Sequence, residues 1–130
     1  MTGDPREKDP VGRLHLPPTP AVGEEGYSAY LLGEYFGEAI PSLVFRLKDG
    51  SRVAKAYHWL GEVEYLPGLG VRLVFPDGVF TIRGRNLLGL FTAVSQHAVR
   101  LVWEADRATA FLVPESDPLV EAVERTPPRG

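Results

Sequence analysis

Strict alternation of apolar and polar residues, cut by turn dipeptides, restricts this chain more than any other feature. Leu43, Phe45 and Leu47 alternate with Val44, Arg46 and Lys48. Period two puts successive side chains on opposite faces of a strand, so this run reads as a half-buried β-strand. Asp49-Gly50 follows, and both residues accept the positive φ of a tight hairpin. Val53, Lys55, Tyr57 and Trp59 then alternate with Arg52, Ala54, Ala56 and His58. Glu62 to Leu66 alternates again, and Pro67-Gly68-Leu69-Gly70 breaks the run. Val71 to Phe75 and Val79 to Arg83 flank Pro76-Asp77-Gly78, where proline presets φ and glycine permits the bend. A helix cannot use such a pattern, so the middle of the chain is a series of hairpins.

At Gly84 the period changes. Asn86 is suited to cap a helix, and Leu87, Leu88, Leu90, Phe91 and Val94 follow at helical spacing. This predicts a helix over about 87–97, with His97 near its end. Residues 98–104 read as a strand, and Ala110 to Val113 as a possible further one. Ser116-Asp117-Pro118 is expected to open a short amphipathic helix, with Leu119, Val120 and Val123 on one face. Residues 27–40 are ambiguous, because aromatic residues at helical spacing are interrupted by glycines.

Proline removes backbone donors, and five prolines fall in the first twenty of the 130 residues. Residues 1–26 therefore read as an extended or disordered tail, 27–124 as a single β-rich domain and 125–130 as a disordered end. The fold class is α+β, mainly β. Its architecture is an antiparallel meander of five to six strands, or a small SH3/Sm-like barrel, with one covering helix. Leu43, Phe45, Leu47, Tyr57, Trp59, Val71, Leu73, Phe75, Phe80, Ile82, Leu87, Leu90, Phe91, Val94, Val99, Leu101 and Trp103 are the expected core.

Several chemistries lack their residues. There is no cysteine, so thiolate nucleophiles and thiolate metal sites are excluded. His15, His58 and His97 are not spaced as metal ligands on one element. No Gly-x-Ser-x-Gly elbow and no glycine-rich phosphate loop occurs. A hydrolytic site built on His58, Glu62 and Glu64 ranks last among the possible functions. No cofactor is expected. The first residues lack the apolar stretch of a secretory signal and no run is long enough to span a bilayer, which points to the cytoplasm. Net charge is −3, unlike a strongly basic nucleic-acid binder. The charge is uneven: residues 1–42 hold three basic and seven acidic groups, whereas 43–107 hold nine basic and six acidic.

The most distinctive string is Ile82-Arg83-Gly84-Arg85-Asn86-Leu87, two arginines at a strand-to-helix turn. A helix N-terminus with basic flanks attracts anions, so Arg83, Gly84, Arg85 and Asn86 form a candidate anion or nucleic-acid site. Arg46, Arg52 and Lys55 could extend it, with Tyr57 or Trp59 as a stacking surface. The same string also reads as a plain bend and cap with solvated arginines.

Ile82-Arg83-Gly84 and Leu47-Lys48-Asp49-Gly50 resemble the two half-motifs of Sm-like RNA-binding proteins. That likeness implies a small barrel that binds RNA. It ends where this chain turns into a helix after Arg83-Gly84. Taken with Tyr57-His58-Trp59-Leu60, Val63-Glu64-Tyr65 and His97-Ala98-Val99, these strings are also similar to small bacterial proteins of unknown function, a likeness that implies the fold alone. The expected function is a non-enzymatic binding or adaptor module. Its partner would be another protein, or a second copy met through a strand edge; RNA binding is the alternative and a small hydrolytic enzyme the second alternative.

Overall fold

The structure is a computed structural model and describes residues 26–33 and 40–128. The tail expected over 1–26 lies outside the described residues except for Gly26. The described elements, in chain order, are β1 (Tyr30–Leu32), β2 (Ser42–Arg46), β3 (Arg52–Ala56), a 3-10 turn (Tyr57–Trp59), β4 (Glu62–Leu66), β5 (Gly70–Phe75), β6 (Gly78–Arg85), α1 (Leu88–Ser95), β7 (Val99–Trp103), α2 (Arg107–Leu112) and β8 (Leu119–Thr126).

The hairpins arise where the sequence places them. Asp49 accepts hydrogen bonds from the Ser51 amide at 2.9 Å and its hydroxyl at 2.6 Å, and Gly50 takes φ +93°. That turn sets the β2–β3 register at Phe45 opposite Val53. The second turn joins β5 to β6 with Phe75 opposite Gly78.

The strands form two four-stranded sheets, ordered β1-β7-β2-β3 and β4-β5-β6-β8. All pairs are antiparallel except β2 with β7, which run parallel. The sheets bury their inner faces against each other. Phe45 of the first stacks on Phe80 of the second with centroids 4.4 Å apart, and Phe75 meets Phe80 edge-on at 5.8 Å. Aromatic pairs of this kind add to the area they bury. Helix α1 buries Leu90 and Val94 and lies against β4, β5 and β7, so it closes one end of the core.

Several expectations are corrected. The domain is mainly β, but it holds eight strands and two helices among the described residues, in two sheets that do not close into a barrel. Residues 110–113 are not a strand. Ala110 to Leu112 belong to α2 and Val113 is its C-cap; the N-cap Asp106 accepts the Thr109 amide at 2.8 Å. Residues 119–126 are a strand and not a helix, because pairing with β6 over Val79 to Arg85 outweighs the local helical spacing. This strand carries the domain to Thr126, past the expected limit at 124. Trp59 is not core: it is 59% exposed, because the chain leaves the strand at Ala56 and bends through the 3-10 turn. Leu47, Phe91 and Trp103 are only partly buried.

One buried carboxylate ties the sheets together. Glu104, 7% exposed, follows β7 of the first sheet. Its Oε1 accepts the Lys48 amide just after β2, and its Oε2 accepts the Val123 amide in β8 of the second sheet, both at 2.8 Å. The Ala105 amide donates to the Val120 carbonyl, and the Tyr27 hydroxyl accepts the Val120 amide at 3.0 Å while donating to Trp103 O at 3.1 Å. Burial pushes the Tyr27 phenol up to about 12, so it stays neutral and able to donate. Between Val120 and Val123 the outer edge of β8 is thus met by side chains and one loop amide instead of another strand. Glu104→Ala leaves two amides without acceptors and is expected to cost on the order of 3 kcal/mol. Glu104→Gln keeps one acceptor oxygen and should cost less, an order that urea unfolding of both variants checks.

Candidate functional site

One open sheet edge of the fold lies at β3. In the β2–β3 ladder the Leu47 amide donates to Ser51 O at 2.8 Å, and the Tyr57 amide donates to Pro41 O at 2.9 Å. These two bonds fix the phase: Ser51, Val53, Lys55 and Tyr57 turn their backbone groups toward β2. Arg52, Ala54 and Ala56 turn theirs the other way. Among the described residues no strand pairs with that outer edge.

Period two also sends Lys55 inward, an unusual place for an ammonium. Its Nζ lies 5.1 Å from the Phe75 ring centre and 6.0 Å from that of Phe80. It donates to both carboxylate oxygens of Asp77 at 2.8 Å. Asp77 sits on the β5–β6 turn, so this ion pair spans the gap between the sheets. The Lys55 side chain is 18% exposed and that of Asp77 is 71% exposed. The hydrogen bond from Lys55 holds the Asp77 carboxyl below the usual carboxylate range.

Two hollows flank the ion pair. One, about 350 Å³, is lined by Ala54, Ala56, Trp59 and Pro76 beside the pair itself. The other, about 260 Å³, is lined by Val53, Val79, Phe80, Arg125 and Thr126. The Arg125 guanidinium lies over the Phe80 ring at 5.6 Å. His58 packs edge-on against Trp59 at 4.9 Å. A floor of aromatic rings, two cations, one carboxylate and an open strand edge therefore meet in one groove.

The residues singled out from sequence are not gathered in one place. Strand β6 is eight residues long, so its ends are about 23 Å apart at ~3.3 Å per residue. Lys55 and Asp77 lie at one end and the Arg83–Asn86 turn at the other. Arg83 Nε approaches Glu124 at 3.7 Å. Arg85 donates to the carbonyls of Val113 at 3.0 Å and Pro114 at 3.3 Å. Asn86 is not the helix cap. It takes φ +58° and donates from Nδ2 to Glu115 O and Asp117 O, both at 2.9 Å, while Leu87 stands at the cap position. Arg85 and Asn86 thus fasten the loop after α2. Gly84 has no left-handed φ; a Cβ there would press on the Leu119 carbonyl.

Arg46 lies over the Trp103 ring at 4.0 Å. Tyr57 is buried, with its hydroxyl donating to Val99 O at 2.7 Å and accepting the Val99 amide at 3.2 Å, so its ring offers no stacking face to a base. Arg52 stays exposed on β3. Glu64 pairs with Arg72 at 3.0 Å. Among the described residues no three His, Cys, Asp or Glu are placed to hold a metal ion, and no helix is long and apolar enough to cross a membrane.

Of the groove, sequence reasoning pointed to Lys55 as a binding cation and to Trp59 as a stacking surface. It missed Asp77, which reads as a turn residue, and Arg125, which reads as part of a loose end. The inward phase of Lys55 was the available signal, since a charge on the apolar face of a strand marks an edge. Comparison with family models, with curated proteins and with solved structures gives no match in any of the three.

Gly84→Ala is expected to destabilise by roughly 3 kcal/mol through the clash with Leu119 O, read as a lowered urea midpoint. The Lys55–Asp77 pair makes a pH prediction. A carboxyl whose folded pKa lies below its unfolded value contributes stability above the unfolded pKa, and that contribution disappears as pH falls through the folded one. The melting temperature of Asp77→Asn should therefore fall below that of the parent at neutral pH and converge with it below about pH 4. High salt should shrink the difference, since the pair is open to solvent.

Proposed function

We propose that the chain is a non-enzymatic binding module that takes an extended peptide onto the outer edge of β3. The observation that carries this reading is the open edge itself: the backbone groups of Arg52, Ala54 and Ala56 turn away from β2, and Ala54 and Ala56 line a hollow walled by Pro76 and Trp59. In strand addition, main-chain hydrogen bonds supply affinity and flanking pockets supply selectivity. The small side chains of Ala54 and Ala56 leave room for those of an added strand. Trp59 supplies a large apolar surface next to them, the kind of residue that anchors interfaces. An edge this short supports few bonds, so affinities on the order of micromolar suit it. The nucleic-acid alternative loses Tyr57, which is buried, and keeps Trp59 as its one exposed stacking surface, but most of its cations already have partners.

Proline at an outward-facing edge position removes a donor to an incoming strand and leaves the existing ladder intact. Heptapeptides selected from a displayed library on the parent protein should bind Ala54→Pro about tenfold more weakly, the equivalent of one or two lost hydrogen bonds. The variant should keep the parent's melting profile. Val53→Pro, which breaks the inner ladder, should melt early and serves as the control. Selection that yields no binder, or peptides that bind Ala54→Pro as tightly as the parent, would overturn the reading.

A further inference from the structure

The open edge of β3 also indicates what the added strand carries, an inference that rests on the reading above. We infer that the occupant is a segment of another protein with an acidic side chain at the position that enters the groove beside Lys55, where Lys55 and Arg125 receive its carboxylate.

The argument begins with the pleat. A strand laid along β3 alternates its side chains between the same two faces that β3 uses. One set falls on the outer face, over Ala54, Ala56 and Trp59. The other set points inward, beside Val53 and Lys55, over the hollow floored by Phe80 and walled by Arg125. The charged groups around that hollow are Lys55, Arg125 and Asp77, two cations against one anion. An apolar or cationic side chain entering there would sit against an ammonium that is only 18% exposed. A carboxylate instead accepts charge-assisted hydrogen bonds from both cations.

Inward charges on edge strands normally block indiscriminate strand pairing. Lys55 does that here, and so sets the condition for admission: the added strand must bring the opposite charge. Asp77 is the resident substitute. It holds Lys55 in place across the gap, yet its own side chain is 71% exposed, so it can turn to water when another carboxylate takes over. Specificity then comes from a repulsive element as much as from an attractive one.

The test uses the full chain and two blocked heptapeptides, Thr-Thr-Val-Glu-Val-Thr-Thr and its Gln counterpart, followed by NMR titration of backbone amides 52–56. The Glu peptide should bind about tenfold more tightly than the Gln peptide. Arg125→Gln should erase most of that preference without erasing binding. Asp77→Asn, which removes the competing carboxylate, should strengthen binding of the Glu peptide by several fold, an effect a purely structural Lys55–Asp77 pair would not give. Equal binding of the two peptides, lost in Ala54→Pro, would overturn the acidic preference while sparing the edge reading. Binding of neither peptide would overturn both. A parent protein that sediments as a dimer which Ala54→Pro dissociates would show that a second copy is the occupant. An Ala54 amide already protected from exchange without peptide would show that the chain covers its own edge. Either result would overturn the proposal.

Discussion

Two amides from different sheets, those of Lys48 and Val123, converge on the Glu104 carboxylate. Apolar packing of Phe45 on Phe80 draws the sheets together, but apolar contact is non-directional and tolerates sliding. Hydrogen bonds to a buried carboxylate do not. Glu104 fixes where β8 lies relative to the end of β2, and Tyr27 and Ala105 hold Val120 beside it. Those contacts occupy the outer edge of β8 between Val120 and Val123. Over that stretch the second sheet needs no further strand.

The opposite side of the gap is treated differently. There Lys55 on the edge of β3 is joined to Asp77 of the β5–β6 turn by an ion pair in reach of water. Exposed pairs contribute little to stability, so the fold loses little if this one is exchanged for another. The molecule thus closes one seam with buried, directional bonds and leaves the other on a replaceable contact. That asymmetry separates the part of the domain that specifies structure from the part free to engage a partner.

Much of the architecture was legible in the residues. The Asp49-Gly50 and Pro76-Asp77-Gly78 turns, the strands beside them and helix α1 follow from period and turn chemistry alone. Local pattern misled at both ends of the chain's later half. Leu119, Val120 and Val123 suit a helix as well as a strand, and only their pairing with β6 decides between the two. Asp106, three residues before Thr109, was a readable cap for α2 that the apolar run at 110–113 obscured. For the site, Arg83, Arg85 and Asn86 drew notice as an anion-binding turn, but Arg83 meets the Glu124 carboxylate, and the partners of Arg85 and Asn86 are backbone carbonyls some thirty positions away. No spacing rule shows such partners. The groove needed three strands and a turn to be assembled before Lys55, Asp77 and Arg125 could be seen together.

The parallel pairing of β2 with β7 has a consequence for the order of folding. In the first sheet, β7 lies between β1 and β2, yet it is made after all of the second sheet's first three strands and α1. A chain emerging from its N-terminus therefore presents β1 and β2 with their inner edges bare until Val99–Trp103 arrives. Only then can the sheet fill from its centre. Closing so long a loop before any contact rewards it slows folding. During synthesis the hairpin of β2 and β3 must wait with both flanks open, and the β4–β5–β6 meander, built from near neighbours, is positioned to form first.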